Sequence, residues 1–493
     1  MRRQLCGCFQ VSLHIQQVHC LKSQAEDEIF YNSTHTYNII SNTFMCGIFG
    51  VFNNPQAAEL TYFGLHSLQH RGQESTGICV SDGKHFHTHR GTGLVTEAFG
   101  EEQYSHLTGH IGIGHVRYTT AGDSGLLNAQ PLVFRYSGGR VAVAHNGNLV
   151  NAKRLRTQLE RQGSIFQTNS DTEIVPHFIA RSGPPIEQAI QDALRMIEGA
   201  YALLFMTETQ LVAAQDPRAF HPLSLGKLDD GWVVASETCA LDVCGAEFVR
   251  EIEPGEMLVI DAEGLHSQNF MEPSPRSICS FEYIYFARPD SEIDGISVHN
   301  ARKEMGRQIC REGPTEADVV IGVPDSGLAA AIGFAEESGL SYEMGMMKNR
   351  YVGRTFIQPD QELRRKGVRM KLSVVRKAVE GKRIILVDDS IVRGTTSGRI
   401  VEILKDAGAT EVHMRVTSPP ITHPCLYGID TARRMELISA TQTPAEICQK
   451  IGADSLHFIS AEGMIAATGR KDVSSNRGHC LACFNGSYPT PTC

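Results

Sequence analysis

The chain has 493 residues, 41% of them hydrophobic and 20% charged, with a net charge of −9. That length holds two or three domains; the acidic balance argues against a nucleic-acid partner, and no run of eighteen apolar residues is present to span a membrane. The 14 cysteines lack the close spacing of a disulfide scaffold, and Gln10, His14, Gln16 and Gln17 interrupt the one stretch that could open a secretory signal. The expectation is a cytoplasmic protein with reduced thiols, a few of them recruited to metal or catalysis.

Residues 1–45 lack clear periodicity, and Glu26, Asp27 and Glu28 speak against a transit peptide. They read as an extension, either a propeptide or a start assigned upstream of Met45. CGIFGVF (46–52) predicts a strand, and ELTYFGLHSLQHRG (59–72) a helix stopped by Gly72. Further strands are predicted at 111–118, 141–147, 201–206 and 232–237, and helices at 151–162, 172–181 and 185–198. Strands in runs with helices grouped between them point to layered α+β packing for 46–275. A linker falls near MEPSPRS (271–277).

The texture then changes. Residues 318–339 read as strand, glycine turn, helix, and 383–416 as strand, loop, helix, strand. Their strands are continuous apolar runs, as in a parallel sheet covered on both faces, so 276–470 is expected to be an α/β domain. A tail, 471–493, closes the chain with three cysteines.

VDDSIVRGTTSG (387–398) carries the strongest chemistry. A buried strand delivers Asp388 and Asp389 at its C-terminal end, where open α/β sheets bind ligands. A loop of hydroxyls and a glycine follows, and then a helix whose first N–H groups favour a phosphate at Gly394–Thr396. A lone Asp-Asp would read as a solvated turn; the whole arrangement is far more specific. It resembles the phosphoribosyl-pyrophosphate motif of type I phosphoribosyltransferases. The resemblance implies that Asp388 and Asp389 meet the ribose hydroxyls, with Ser390, Arg393, Gly394, Thr395 and Thr396 around the 5-phosphate. It further implies that GVPDSG (322–327) receives pyrophosphate and Mg²⁺, with Ser326 beside the metal along with Asp388 and Asp389. KNRYVGRTFIQP (348–359) would be a flap carrying Lys348, Arg350, Tyr351 and Arg354 over the leaving group.

In the first half, an internal thiol such as Cys46 is more often packing than catalysis. Four stretches change the odds. LQHRGQES (68–75) holds Arg71, GHVRYTTAG (114–122) holds Arg117, HNGN (145–148) holds Asn146 and Gly147, and TNSDTE (168–173) holds Asp171, which alone would read as a helix cap. Their order after MCGIFG resembles the class II glutamine amidotransferase domain, an N-terminal-nucleophile hydrolase with stacked αββα layers. That family implies Cys46 as nucleophile with its own α-amine as base. It also implies Asn146 and Gly147 as oxyanion donors, Arg117 on the glutamine carboxylate, Asp171 on its ammonium, and Arg71 in support.

The two halves together resemble the amidophosphoribosyltransferase family from about Cys46 to Tyr488, including stretches with no obvious chemistry such as FEYIYFARPDS (281–291) and SPPITHPCLYGID (418–430). The implied reaction turns glutamine, phosphoribosyl pyrophosphate and water into phosphoribosylamine, glutamate and pyrophosphate, the first committed step of purine synthesis. CLACF (480–484) resembles the branch of that family bearing a [4Fe–4S] cluster, with zinc as a rival for the C-x-x-C. Matching its pattern gives Cys279, Cys425, Cys480 and Cys483 as ligands. His221 stands where the family usually has arginine. The family further implies a homotetramer inhibited by purine nucleotides. The rivals are another class II glutaminase fusion, which VDDSIVRGTT opposes, and a phosphoribosyl-pyrophosphate-sensing regulator, which would need no Cys46.

Overall fold

The computed structural model describes residues 45–118, 125–349, 372–429, 433–470 and 478–491. Strand β1 (Gly47–Phe52) lies inside a seven-stranded sheet with β2 (Ser75–Ser81), β3 (Phe86–Thr92) and β4 (Ile111–Arg117) on one side. On its other side are the strands at 224–228, 231–235 and 247–251. A second, six-stranded sheet contains β5 (Leu132–Tyr136), β6 (Gly139–Leu149), β7 (Gly199–Met206), β8 (Leu211–Gln215) and the strands at 256–261 and 264–269. Ile48, Ile113, Ala144, Leu204 and Leu258 share the core between the sheets. The outer face of the first sheet is covered by α1 (Ala57–Ser67), through Leu65. That of the second is covered by α2 (Ala152–Arg161), α3 (Ile174–Ser182) and α4 (Ile186–Met196), through Leu155, Ile179 and Ile190. The alternation of strand residues between two sheet faces thus produces the expected αββα stack.

One predicted boundary moves for a reason that matters. The helix expected to run to Gly72 ends at Ser67. Residues 68–71 form a turn in which the Arg71 N–H donates to the Leu68 carbonyl at 2.9 Å, and this aims Arg71 back toward β1. Strands β2, β3, β5 and β8, with those at 224–228, 247–251, 256–261 and 264–269, are additions to those predicted; STGICVS, for one, mixes hydroxyls and small residues and carries little apolar signal.

The second half is built on five strands, all parallel, at 341–342, 319–322, 383–388, 411–416 and 455–458 in sheet order. The continuous apolar runs are explained by cores on both faces. Val320, Ile385 and Val387 point to one that includes α5 (Val298–Glu312) and α6 (Leu328–Ser338). Ile321, Ile384 and Leu386 point to another that includes α7 (Thr395–Asp406). A two-stranded parallel ribbon pairs Ser277–Cys279 with Gly478–Cys480, setting Cys279 opposite Cys480.

Candidate active sites

In the first half, β1, β4 and β6 bring three sequence-distant motifs together. Cys46 is 5% exposed, and its thiol donates to the Tyr118 carbonyl at 3.4 Å. Burial pushes the thiol up to about 11, against the pull of the Tyr118 hydrogen bond and the charge of Arg117. A neutral, buried thiol is a poor nucleophile until a base takes its proton. Asp171 opens the short helical turn before α3, and its Oδ2 accepts from the Leu149 N–H at 2.9 Å. His145 stands 3.8 Å from its other oxygen.

Asn146 Nδ2 is buried and, among the described residues, has no hydrogen-bond partner. An unspent buried donor is costly, and it is the group an oxyanion would satisfy. Gly147 follows in β6 with φ +142°, and a Cβ there would run into the Ala200 carbonyl, so no other residue fits at this point of the strand.

Arg71 lies behind Cys46, 1% exposed. Its Nε donates to the Cys46 carbonyl at 3.0 Å, and its other nitrogens reach Glu237 at 2.5 Å and Glu282 at 2.6 Å. Burial disfavours this charge, but the two carboxylates more than reverse that and hold the guanidinium protonated. Arg71 therefore fixes the backbone of Cys46 from behind. Glu282 lies within FEYIYFARPDS, the stretch that carried no obvious chemistry in the sequence, and Glu237 had drawn no notice either. Their pairing with Arg71 spans 211 and 166 residues, beyond the reach of local spacing.

In the second half, the parallel sheet presents Asp388 and Asp389 at its C-terminal edge, 6% and 7% exposed. Asp389 accepts from the hydroxyls of Ser326 at 2.6 Å and Ser390 at 2.5 Å. Burial and the neighbouring carboxylate push Asp388 well up; burial also raises Asp389 against its hydroxyl partners. Gly394, at φ +77°, turns the chain into α7, which begins at Thr395. Arg393 pairs with Glu436 at 2.8 Å and Lys348 with Asp325 at 3.0 Å. Arg350, Tyr351 and Arg354 lie outside the described residues.

The remaining predicted group gathers at the seam between the halves. Cys279, Cys480 and Cys483 are buried and Cys425 half-buried, and none of the four is in a disulfide. Burial, then the charges of Cys480, Cys425, Glu282 and Cys483, raise the Cys279 thiol. The loop carrying Cys425 leans on the first half: the Asn148 amide donates to the Leu426 carbonyl at 2.9 Å, and His221 Nε2 to the Tyr427 carbonyl at 2.7 Å. Among the described residues, no group of three or more His, Cys, Asp or Glu side chains could hold a single metal ion.

A family model for the glutamine amidotransferase domain matches residues 115–243. Amidophosphoribosyltransferase of Bacillus subtilis strain 168 is 58% identical over 447 residues, covering 90% of this chain and 94% of that protein. The Staphylococcus aureus MRSA252 enzyme of the same name is 52% identical and 90% covered. The solved glutamine phosphoribosylpyrophosphate amidotransferase from B. subtilis, in complex with ADP and GMP, superposes with a TM-score of 0.87 over 91% of this chain and 98% of that one.

This chain belongs to the amidophosphoribosyltransferase family.

It is accordingly a glutamine-dependent enzyme, and its αββα stack and parallel α/β sheet are the fold of that family. Among the described residues no helix is long and apolar enough to cross a membrane. Because Gly147 tolerates no side chain, Gly147→Ala is expected to lower glutamine-dependent turnover by about 10²–10³, the scale of a lost oxyanion donor. Ammonia-dependent turnover, which bypasses that site, should stay within about twofold of the unmodified enzyme. Steady-state assays with each nitrogen donor check the split.

Proposed function

We propose that the two pockets work in series. Glutamine is hydrolysed at Cys46, and the ammonia attacks the anomeric carbon of phosphoribosyl pyrophosphate beside Asp388 and Asp389, giving 5-phosphoribosylamine and pyrophosphate. The observation that carries this is the contact between the halves: a Cβ on Gly428 would stand only 3.1 Å from Gly147. A loop of the phosphoribosyl half thus roofs the oxyanion residues of the glutaminase half, which favours transfer without release to water.

In this reading the α-amine of Cys46 removes the thiol proton, and the thiolate attacks the glutamine amide carbon. Asn146 Nδ2 and Gly147 take the oxyanion charge, Asp171 holds the substrate ammonium and Arg117 its carboxylate. Arg71 keeps the Cys46 backbone still throughout. In the second pocket the carboxylates of Asp388 and Asp389 hold the ribose hydroxyls, and Ser390 with Gly394–Thr396 surrounds the 5-phosphate at the start of α7. Lys348, at the start of the flap expected at 348–359, would neutralise charge on the leaving group. The buried acid pair and the Ser326 hydroxyl fit a divalent cation; they would hold Mg²⁺, which neutralises charge on pyrophosphate.

The four seam cysteines fit a [4Fe–4S] cluster. Burial raises all four thiols, and the charges of other cysteines add to this at Cys279, Cys480 and Cys483; iron would offset that concentration of thiolate charge. The Tyr427 N–H donates to Cys425 Sγ at 3.2 Å, as thiolate ligands are often supported. The cluster would join the 277–279 strand, the Cys425 loop and the tail. One relative was solved with ADP and GMP, which supports control by purine nucleotides; a homotetramer is what the family resemblance implies.

Cys46→Ala should abolish glutamine-dependent synthesis and leave ammonia-dependent synthesis, whereas Asp388→Asn with Asp389→Asn should abolish both. Equal loss of both activities in a folded Cys46→Ala enzyme would end the two-pocket reading. Anaerobically purified protein should carry about four irons per chain; stoichiometric zinc without iron would overturn the cluster.

Residues 1–45 must be absent from active enzyme, because a peptide bond on the Cys46 nitrogen removes its base. Met45 is fully buried in the apolar cluster that contains Ile278, Phe281 and Ile429. N-terminal sequencing of active protein should read Cys-Gly-Ile-Phe-Gly. With the extension retained, Cys46 alkylation should rise about tenfold per pH unit up to about 11, since only the thiolate reacts and burial raises its pKa. Full glutamine-dependent turnover with Met1 retained would refute the free-amine mechanism.

A further inference from the structure

The stretch NAQP (128–131) has no part in the chemistry assigned above, yet it lies against the glutamine pocket. Strand β5 pairs with β6 only from Tyr136 opposite Gly139 to Leu132 opposite Val143, while β6 runs on to Leu149 against β7. Past Val143 one edge of β6 has left its strand partner, and a buried N–H there must be met in another way. The Gln130 side chain meets it: its Oε1 accepts from the His145 N–H at 2.7 Å. His115 Nε2 stands 3.1 Å from the His145 carbonyl. A backbone N–H can only donate, so this bond fixes which way round the Gln130 amide lies. Its Nε2 is then turned to Thr172 and donates to Oγ1 at 3.1 Å.

Thr172 follows Asp171 in the short helical turn before α3. His145 Nδ1 stands 3.1 Å from the same Thr172 hydroxyl, and Asp171 Oδ1 stands 3.4 Å from it. The Asp171 turn is thus tied to β6 at two places: at His145 through Gln130, and at Leu149 through Asp171 itself. Asn146 and Gly147 lie between the two ties. Gln130, 4% exposed, is in turn seated on the first sheet. A Cβ on Gly77 of β2 would stand 2.4 Å from its carbonyl oxygen, and Arg90 of β3 donates to the Ala129 carbonyl at 2.8 Å. Asn128 adds a bond of 2.5 Å to Asn169, two residues before Asp171.

We propose that Gln130 is a positioning residue of the glutaminase reaction: its amide, bonded to β6 and to the Asp171 turn at once, sets the oxyanion donors Asn146 and Gly147 at a fixed span from the carboxylate that takes the substrate ammonium. A glutamine held by its ammonium at Asp171 then presents its carboxamide to Asn146 Nδ2. Gln130 touches no substrate and acts only through that span. Removing its amide orphans the buried His145 N–H directly before Asn146, and a misplacement of about 1 Å at a reacting group costs about 10²-fold in rate. This rests on the assignment of the glutamine pocket above.

The test uses enzyme with the extension removed and follows glutamate release from glutamine, with ammonia-dependent synthesis alongside. It also follows Cys46 alkylation by iodoacetamide, which needs the thiol and its amine but neither grip on glutamine. Gln130→Met keeps the length of the side chain and removes both bonds. It should lower kcat/KM for glutamine about 10²-fold, chiefly through kcat, because the oxyanion forms only beyond the ground state. Thr172→Val removes the far end of the tie and should cost about tenfold. Both act through one bond, so the double variant should lose about 10²-fold rather than the about 10³-fold of independent changes. Alkylation and ammonia-dependent kcat should stay within about threefold of normal in each variant. Three results overturn the proposal. One is a loss of less than about threefold for glutamine in folded Gln130→Met; if that variant does not fold, Thr172→Val decides by the same limit. Another is losses that multiply in the double variant. The third is alkylation and ammonia-dependent synthesis falling in step with glutamine turnover, which would make Gln130 a support of the fold alone. Unmodified enzyme that makes phosphoribosylamine from ammonia but releases no glutamate from glutamine would instead end the assignment of the glutamine pocket.

Discussion

The placement of Cys46 depends on a single buried charge cluster. Arg71 places a guanidinium between Glu237 and Glu282, all three shielded from solvent. Two carboxylates against one guanidinium leave an excess of negative charge, and two histidines flank it: His70 at 2.7 Å from Glu237 and His221 at 3.7 Å from Glu282. Such a cluster adds little net stability, yet removing one partner typically costs about 3–5 kcal/mol because the others are left buried and unpaired. Its value here is placement. Arg71 comes from the turn after α1, Glu237 from the edge of the first sheet and Glu282 from the first turn of the second half, so the Cys46 backbone is fixed only when all three segments have docked.

His221 shows how this junction adapts. An arginine in its place would carry a permanent charge toward Glu282. The imidazole donates to the Tyr427 carbonyl from Nε2 and turns Nδ1 toward Glu282, spanning both segments with a shorter side chain. It is 1% exposed and stacks no solvent-facing surface. The position therefore remains a bridge between the cysteine-bearing loop and the arginine-binding carboxylate.

What could be read in advance follows the range of the interactions. The acid pair, the Gly394 turn and the start of α7 are neighbours along the chain, so VDDSIVRGTT displays its pocket in order. Asn146 and Gly147 are adjacent, and the backbone geometry that restricts Gly147 is local. The stacked and parallel sheets were legible because alternating strands and continuous apolar runs each imply what covers them. Glu237 and Glu282 were invisible for the opposite reason. Each looks like an ordinary surface charge until a distant segment buries it, and no periodicity marks the pairing. The helix that ended at Ser67 belongs with these: its apolar spacing favours continuation, but the tertiary pull of Arg71 toward Cys46 wins.

The tail extends the same logic to the far end of the chain. Gly478–Cys480 pairs with Ser277–Cys279, the Ser280 hydroxyl donates to the Cys480 carbonyl at 2.8 Å, and the Thr422 and His423 N–H groups donate to the Cys483 carbonyl at 2.9 and 3.0 Å. On the other side the Cys279 N–H donates to the Phe220 carbonyl at 2.9 Å. These contacts join residues about 60 to 200 apart, so each closes a long loop and carries its closure entropy. Glu282 lies three residues beyond Cys279, inside the region this ribbon pins. Docking of the last described segment therefore completes the seat of the carboxylate that holds Arg71, and the thiol near the start of the folded chain is set in position by residues near its end.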